Sequence, residues 1–154
     1  MGLMFVGAMA GSTSGSVKIF RLEIVWGIMK AQVKRLLHPR GVFIPRSGGT
    51  PVADDVARTV LIFTVMYFVA FMTGTAALGI VGAMSGNELD IVSSASAVAA
   101  SLGNIGPGLE AVGPTHNFAA IPDLGKWLLS GLMILGRLEI LPVLLIFTTE
   151  FWKR

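Results

Sequence analysis

Apolar residues in this chain come in long runs, and the runs are separated by short clusters of glycine, proline and charge. The longest, from Thr59 to about Ala83, passes twenty-five residues without a charged side chain, which exceeds the roughly 20 apolar residues a helix needs to cross a hydrocarbon core. It predicts a transmembrane helix that begins near Asp55 and Arg58 and ends at the polar group Ser85, Gly86, Asn87, Glu88. A second run, Leu89 to Leu102, is too short to span and is rich in small residues (Ser93, Ala95, Ser96, Ala97, Ala99, Ala100, Ser101), a pattern of a re-entrant or buried helix. It meets Gly103-Asn104-Ile105-Gly106-Pro107-Gly108 at once. Glycine and proline there stop the helix and leave backbone carbonyls without helical partners. Non-helical backbone at membrane depth survives only inside protein or beside a wet cavity, so the sequence reads as a pore loop, with an ordinary extracellular loop as the alternative.

A further hydrophobic stretch runs from Leu124 to about Trp152, with Arg137 and Glu139 in its middle and Pro142 after them. The two charges lie roughly 200° apart on a helix and are poor partners for each other, so at least one is expected to face protein or a water-filled interior. A kink is expected at Pro142, and Phe151, Trp152, Lys153 and Arg154 form an aromatic and basic interface anchor. At the other end a short apolar run, Met1 to Ala10, meets Gly11-Ser12-Thr13-Ser14-Gly15-Ser16, and Val17 to His38 follows as a basic amphipathic helix. Either the first residues are a soluble arm, or they belong to a helix broken at membrane depth. Met1 has no charged segment ahead of a cleavage site, so no signal peptide is expected. Pro39, Pro45, Gly48, Gly49 and Pro51 mark a linker into the long span.

Composition agrees with a bilayer: 53% of the 154 residues are hydrophobic and 14% charged, against about a quarter charged in soluble domains. The absence of cysteine removes any disulfide or thiolate framework. The net charge of +3 raises the question of nucleic acid. Its distribution answers it, because Lys18, Arg21, Lys30, Lys34, Arg35, Arg40, Arg46 and Arg58 crowd one stretch, whereas Ser85 to Gly125 holds only Glu88, Asp90, Glu110 and Asp123. That asymmetry is the positive-inside rule, and the basic stretch lacks the interleaved aromatics of a nucleic-acid groove.

Enzyme signatures fail. Gly11-Ser12-Thr13-Ser14-Gly15 has threonine where a nucleophile elbow needs serine. No P-loop fits, because Gly11 and the later Lys18 lack the required spacing, and no dinucleotide fingerprint fits, because Ala111 stands where the last glycine after Gly106 would be. Neither His38 nor His116 has a second ligand at helical spacing. Glu88 and Asp90 precede a helix, where acids favour the positive end without any chemistry.

The segments Ser96 to Leu109 (SAVAASLGNIGPGL), Gly136 to Pro142 (GRLEILP) and Gly7 to Lys18 (GAMAGSTSGSVK) resemble, in this order, the fourth-repeat pore helix and filter, its second helix, and the third-repeat gate loop of the Trk/Ktr potassium transporter subunits. The resemblance implies an all-α integral membrane fold of helix, re-entrant pore loop and helix, preceded by a broken helix. Residues 1–38 would be the second helix of the third repeat with an intramembrane gate loop at 7–18, residues 39–57 a cytoplasmic linker, and residues 58–154 the fourth repeat. It implies that the backbone carbonyls of Gly103, Asn104, Ile105 and Gly106 coordinate potassium, the transported substrate, without any cofactor. It further implies that Gly11, Ser12, Thr13, Ser14 and Gly15 form a gate with Arg137, whose alternative role is packing against a carboxylate. The expected setting is a multi-pass protein of the inner membrane in contact with lipid, homodimeric in the full-length subunit, with a cytosolic nucleotide-binding regulatory subunit near Lys30, Lys34, Arg35 and Arg40. One and a fraction repeats cannot enclose a filter, so the expectation is a part of a longer subunit, or an assembly of several chains. A secondary transporter of another substrate and a non-conducting membrane anchor are the competing functions.

Overall fold

The computed structural model describes residues 18–38, 46–86, 89–115, 117–138, 142–143 and 152, apart from the side chains of Arg46 and Ala111. Its main elements are α1 (Ile19–Leu37), a minimal hairpin of β1 (Arg46–Ser47) and β2 (Thr50–Pro51), α2 (Asp54–Met84), α3 (Ile91–Leu102) and α4 (Asp123–Arg137), with 3-10 turns at Glu110–Val112 and Phe118–Ala120.

The helix α2 starts at Asp54, five residues before the charge-free run that predicts it. Asp54 and Asp55 in its first turn complement the positive end of the helix dipole. Four of its threonine hydroxyls are satisfied within the helix: Thr59, Thr64, Thr73 and Thr75 each donate to the carbonyl four residues back at 2.8 Å. Such bonds let threonine sit in an apolar surrounding without an unpaired donor. Ala57, Val60, Phe63, Tyr67, Phe71, Gly74, Leu78 and Gly82 are buried, and their spacing of three and four places them on one face. Among the described residues α2 is the one helix long and apolar enough to cross a membrane.

Against this face packs α3, which also packs on α4, while α4 reaches α2 as well. Tyr67, Phe71, Leu78, Ala97, Val98, Leu102, Leu129 and Leu132 form the centre of the core. The approach is close where α2 carries glycine: a methyl on Gly74 would meet Leu132 Cδ1 at 3.0 Å and Val98 Cγ1 at 3.2 Å.

The helix α1 buries Ile24 and Ala31 and carries Lys34 and Arg35 in its last turn, the end that favours cations. It packs on the beginning of α2, and the Arg21 guanidinium lies 3.9 Å from the Phe63 ring centre, a cation-π contact. The segment expected as a linker contains the hairpin, pairing Arg46 with Pro51 and Ser47 with Thr50. Gly48 and Gly49 make its turn with φ of +55° and +86°, the positive pair that a two-residue hairpin turn requires. The Gly48 amide donates to the Glu23 carboxylate at 2.7 Å, which ties the turn to α1.

Candidate ion-coordinating loop

The loop after α3 is built by the way that helix ends. Twelve residues of small and apolar side chains form α3, and Ser93 to Leu102 is buried except for the half-buried Ala95. Its last turn closes with two hydrogen bonds, Asn104 N–H to the Ser101 carbonyl at 3.1 Å and Ile105 N–H to the Ala100 carbonyl at 2.9 Å. Asn104 has φ of +52°. Those two bonds around a left-handed residue are a Schellman cap, with asparagine in the position most helices give to glycine. Gly106 follows with φ of +106°, a backbone that side chains oppose.

The returning limb is pinned to α3 chiefly by Ser96, with a longer bond from the Ser93 hydroxyl to the Glu110 carboxylate at 3.4 Å. Ser96 Oγ accepts from the Leu109 amide at 3.1 Å and lies 3.0 Å from the Ser93 carbonyl and 3.3 Å from that of Leu109. The Gly108 amide donates to the Val112 carbonyl at 2.8 Å. A methyl on Gly108 would stand 2.5 Å from Val112 Cγ2 and 3.2 Å from Ser96 Oγ.

The N–H groups of Gly103, Asn104 and Ile105 are therefore all directed back into α3. The carbonyls of Gly103 to Gly106 accept no hydrogen bond from any described residue. They stand at the C-terminal end of α3, which carries partial negative charge, and Asn104, Ile105 and Gly106 are exposed. A run of carbonyl oxygens unshared among the described residues, at that end of a helix, suits a cation.

The last turns of α4 support the loop from the side. Asn104 Nδ2 donates to the Met133 carbonyl at 3.2 Å. Gly136 lies so close to the C-terminal end of α3 that a methyl there would overlap the Leu102 carbonyl and sit 2.9 Å from Asn104 Nδ2. Arg137, the next residue, ends α4 and is exposed.

A family model for cation transport proteins, TrkH, matches residues 1–154. The chain belongs to the TrkH family. Its relatives include the Trk system potassium uptake protein TrkI of Halomonas elongata, 40% identical over 153 residues, with 99% of this chain and 30% of the relative covered. The Trk system potassium uptake protein TrkH of Vibrio parahaemolyticus is 38% identical over 152 residues, covering 97% of this chain and 29% of that one. The crystal structure of the potassium transporter TrkH from Vibrio parahaemolyticus matches with a TM-score of 0.83 at 35% identity, over 97% of this chain and 30% of that one. This TrkH-family chain thus spans about 30% of the length of these relatives.

Of the residues singled out in the sequence, the structure brings Gly103, Asn104, Ile105 and Gly106 into one loop and sets the end of α4, with Arg137, beyond Gly136. Gly11, Ser12, Thr13, Ser14 and Gly15 lie outside the described residues, as do His116, Glu88 and Glu139. His38 is exposed at the end of α1, and Asp90 precedes α3 without a side-chain cap. Among the described residues no three His, Cys, Asp or Glu side chains gather to hold a metal ion. Sequence reasoning missed the Ser96 bracket and the side-chain role of Asn104. Neither has a local signature, since a serine in a small-residue helix looks like any other. The Gly48-Gly49 turn did have one, the glycine pair itself.

Proposed function

We propose that this segment supplies one quarter of a potassium pathway, with the carbonyls of Gly103, Asn104, Ile105 and Gly106 as one filter limb. The observation that carries the reading is the loop's polarity: the N–H groups of Gly103, Asn104 and Ile105 are spent on α3 and the carbonyls from Gly103 to Gly106 are not shared within the described residues. Carbonyl oxygens replace the hydration shell of potassium while binding weakly enough for release. The names of the family's uptake proteins support potassium as the cargo. In this reading α2, α3 with its loop, and α4 form a helix, re-entrant pore loop, helix unit in a multi-pass inner-membrane subunit.

Arg137 and the loop Gly11 to Gly15 are the proposed gate below the filter. A guanidinium there supplies planar donors to loop carbonyls in the closed arrangement and repels a cation. The complete subunit is a homodimer in lipid, and Lys30, Lys34 and Arg35 offer a basic surface to a cytosolic nucleotide-binding regulator; Arg40, expected with them, lies outside the described residues. Three further filter limbs come from the part of the subunit that the relatives possess and this chain does not span.

The test is growth of a strain lacking potassium uptake systems at limiting potassium. A complete subunit carrying this segment is expected to rescue growth, this chain alone is not, and Gly106→Asp in the complete subunit is expected to abolish or alter uptake at normal membrane insertion. The substitution puts a side chain and a fixed charge on a backbone with φ of +106°. Unchanged uptake and selectivity in Gly106→Asp would reduce residues 103–108 to an ordinary loop.

A further inference from the structure

We infer that the side-chain amide of Asn104 is a positioning residue that clamps the filter limb to the last turn of α4 and thereby sets ion selectivity; this rests on the reading of Gly103 to Gly106 as a filter. The backbone at this position, with φ of +52°, is served at least as well by glycine, so the Schellman cap alone does not call for asparagine. What asparagine adds is the bond from Nδ2 to the Met133 carbonyl at 3.2 Å. A carbonyl only accepts, so the amide nitrogen must be the group facing it.

The surroundings are shaped for this bond. Gly136 sits one turn beyond Met133, and a side chain there would press within 2.9 Å of Asn104 Nδ2 and overlap the Leu102 carbonyl. The absence of a side chain at Gly136 therefore admits both the end of α3 and the amide. The bond joins residues 29 apart in sequence and connects the left-handed residue of the loop to the turn that ends in Arg137. A shift of that turn moves Met133, and through the amide it moves Asn104, whose own carbonyl is one of the four. Selectivity between potassium and sodium depends on the spacing and field of those oxygens, so the loop must be held in one arrangement. The amide supplies that hold from outside α3.

Two variants in the complete subunit test the clamp, because their side effects are opposite and only the lost donor is shared. Asn104→Gly keeps the positive φ and every carbonyl while removing the amide. Asn104→Asp keeps the shape, adds a negative charge and cannot donate to Met133. The readout is the potassium-to-sodium permeability ratio from reversal potentials, which a mere loss of folded protein leaves untouched. Both variants are expected to lower the ratio, by about fivefold if the restraint equals one ordinary hydrogen bond. An unchanged ratio in either variant, or complete loss of both ion fluxes with normal insertion, overturns the clamp. Gly106→Asp measured in parallel separates the two levels: if it alters the ratio and the Asn104 variants do not, the filter stands and the clamp falls. If Gly106→Asp is also silent, the filter reading falls and the clamp with it.

Discussion

The helices α2 and α3 are both apolar, yet they are used in opposite ways. Along α2 large side chains are divided between two faces: Val65, Met72 and Ile80 point outward, between 60% and 63% exposed, while Phe63, Tyr67 and Leu78 are buried on the other face. Along α3 the small side chains are inside, with Ser96 at 0% and Ala97 at 1%. In water this distribution would be costly. In a bilayer lipid tails are as apolar as leucine, so burying a large side chain in protein gains little, whereas small residues allow backbones to approach and pack. The difference teaches that small residues allow α3 to be enclosed along most of its length, whereas α2, with its larger side chains, packs on one face and leaves the other outward.

The same contrast runs along α4 and can be broken most severely at Gly136. Gly136→Ala is expected to destabilise this chain by about 2 kcal/mol or more, because the methyl overlaps the Leu102 carbonyl and overpacking there has to be relieved by moving a backbone. Unfolding in mixed micelles, followed by loss of helicity, measures it. Gly131 is the control on the same helix, where an added methyl meets nothing within 4 Å. Equal effects at the two positions would show that the close crossing of α3 and α4 is absent.

A smaller loss is expected at Ser96→Ala. The change removes the acceptor of the Leu109 amide and the hydroxyl beside its carbonyl, leaving a partly buried donor unpaired at a cost of about 1–2 kcal/mol. Hydrogen exchange at the Leu109 amide should accelerate while the central amides of α2 keep their protection. Uniform acceleration would assign Ser96 to general packing rather than to the return limb.

The smallest effect belongs to the exposed side of α2. At Gly79 an added methyl meets nothing within 4 Å, so Gly79→Ala is expected to leave this chain unchanged or to stabilise it by about 0.5 kcal/mol through helix propensity. The same micelle unfolding assay checks it. A clear loss at Gly79 would erase the distinction between the two faces of α2.

Much of the fold was legible because a bilayer imposes simple conditions. Twenty-five residues without a charge announced α2, and its length alone distinguished it from α3. Small residues followed by Gly103-Asn104-Ile105-Gly106-Pro107-Gly108 announced where α3 would stop, since glycine and proline disfavour helix continuation by local mechanisms. These conclusions need only neighbours in the chain. By contrast, the Leu102 carbonyl against Gly136, Ser96 gripping Leu109 and Asn104 reaching Met133 join residues 13 to 34 positions apart. A glycine in a helix, a serine among alanines and an asparagine at a cap each have several uses that local sequence does not rank. Only the packing of α4 and the return limb on α3 selected among them, because a close approach or a hydrogen bond depends on which distant backbone the tertiary fold brings within reach.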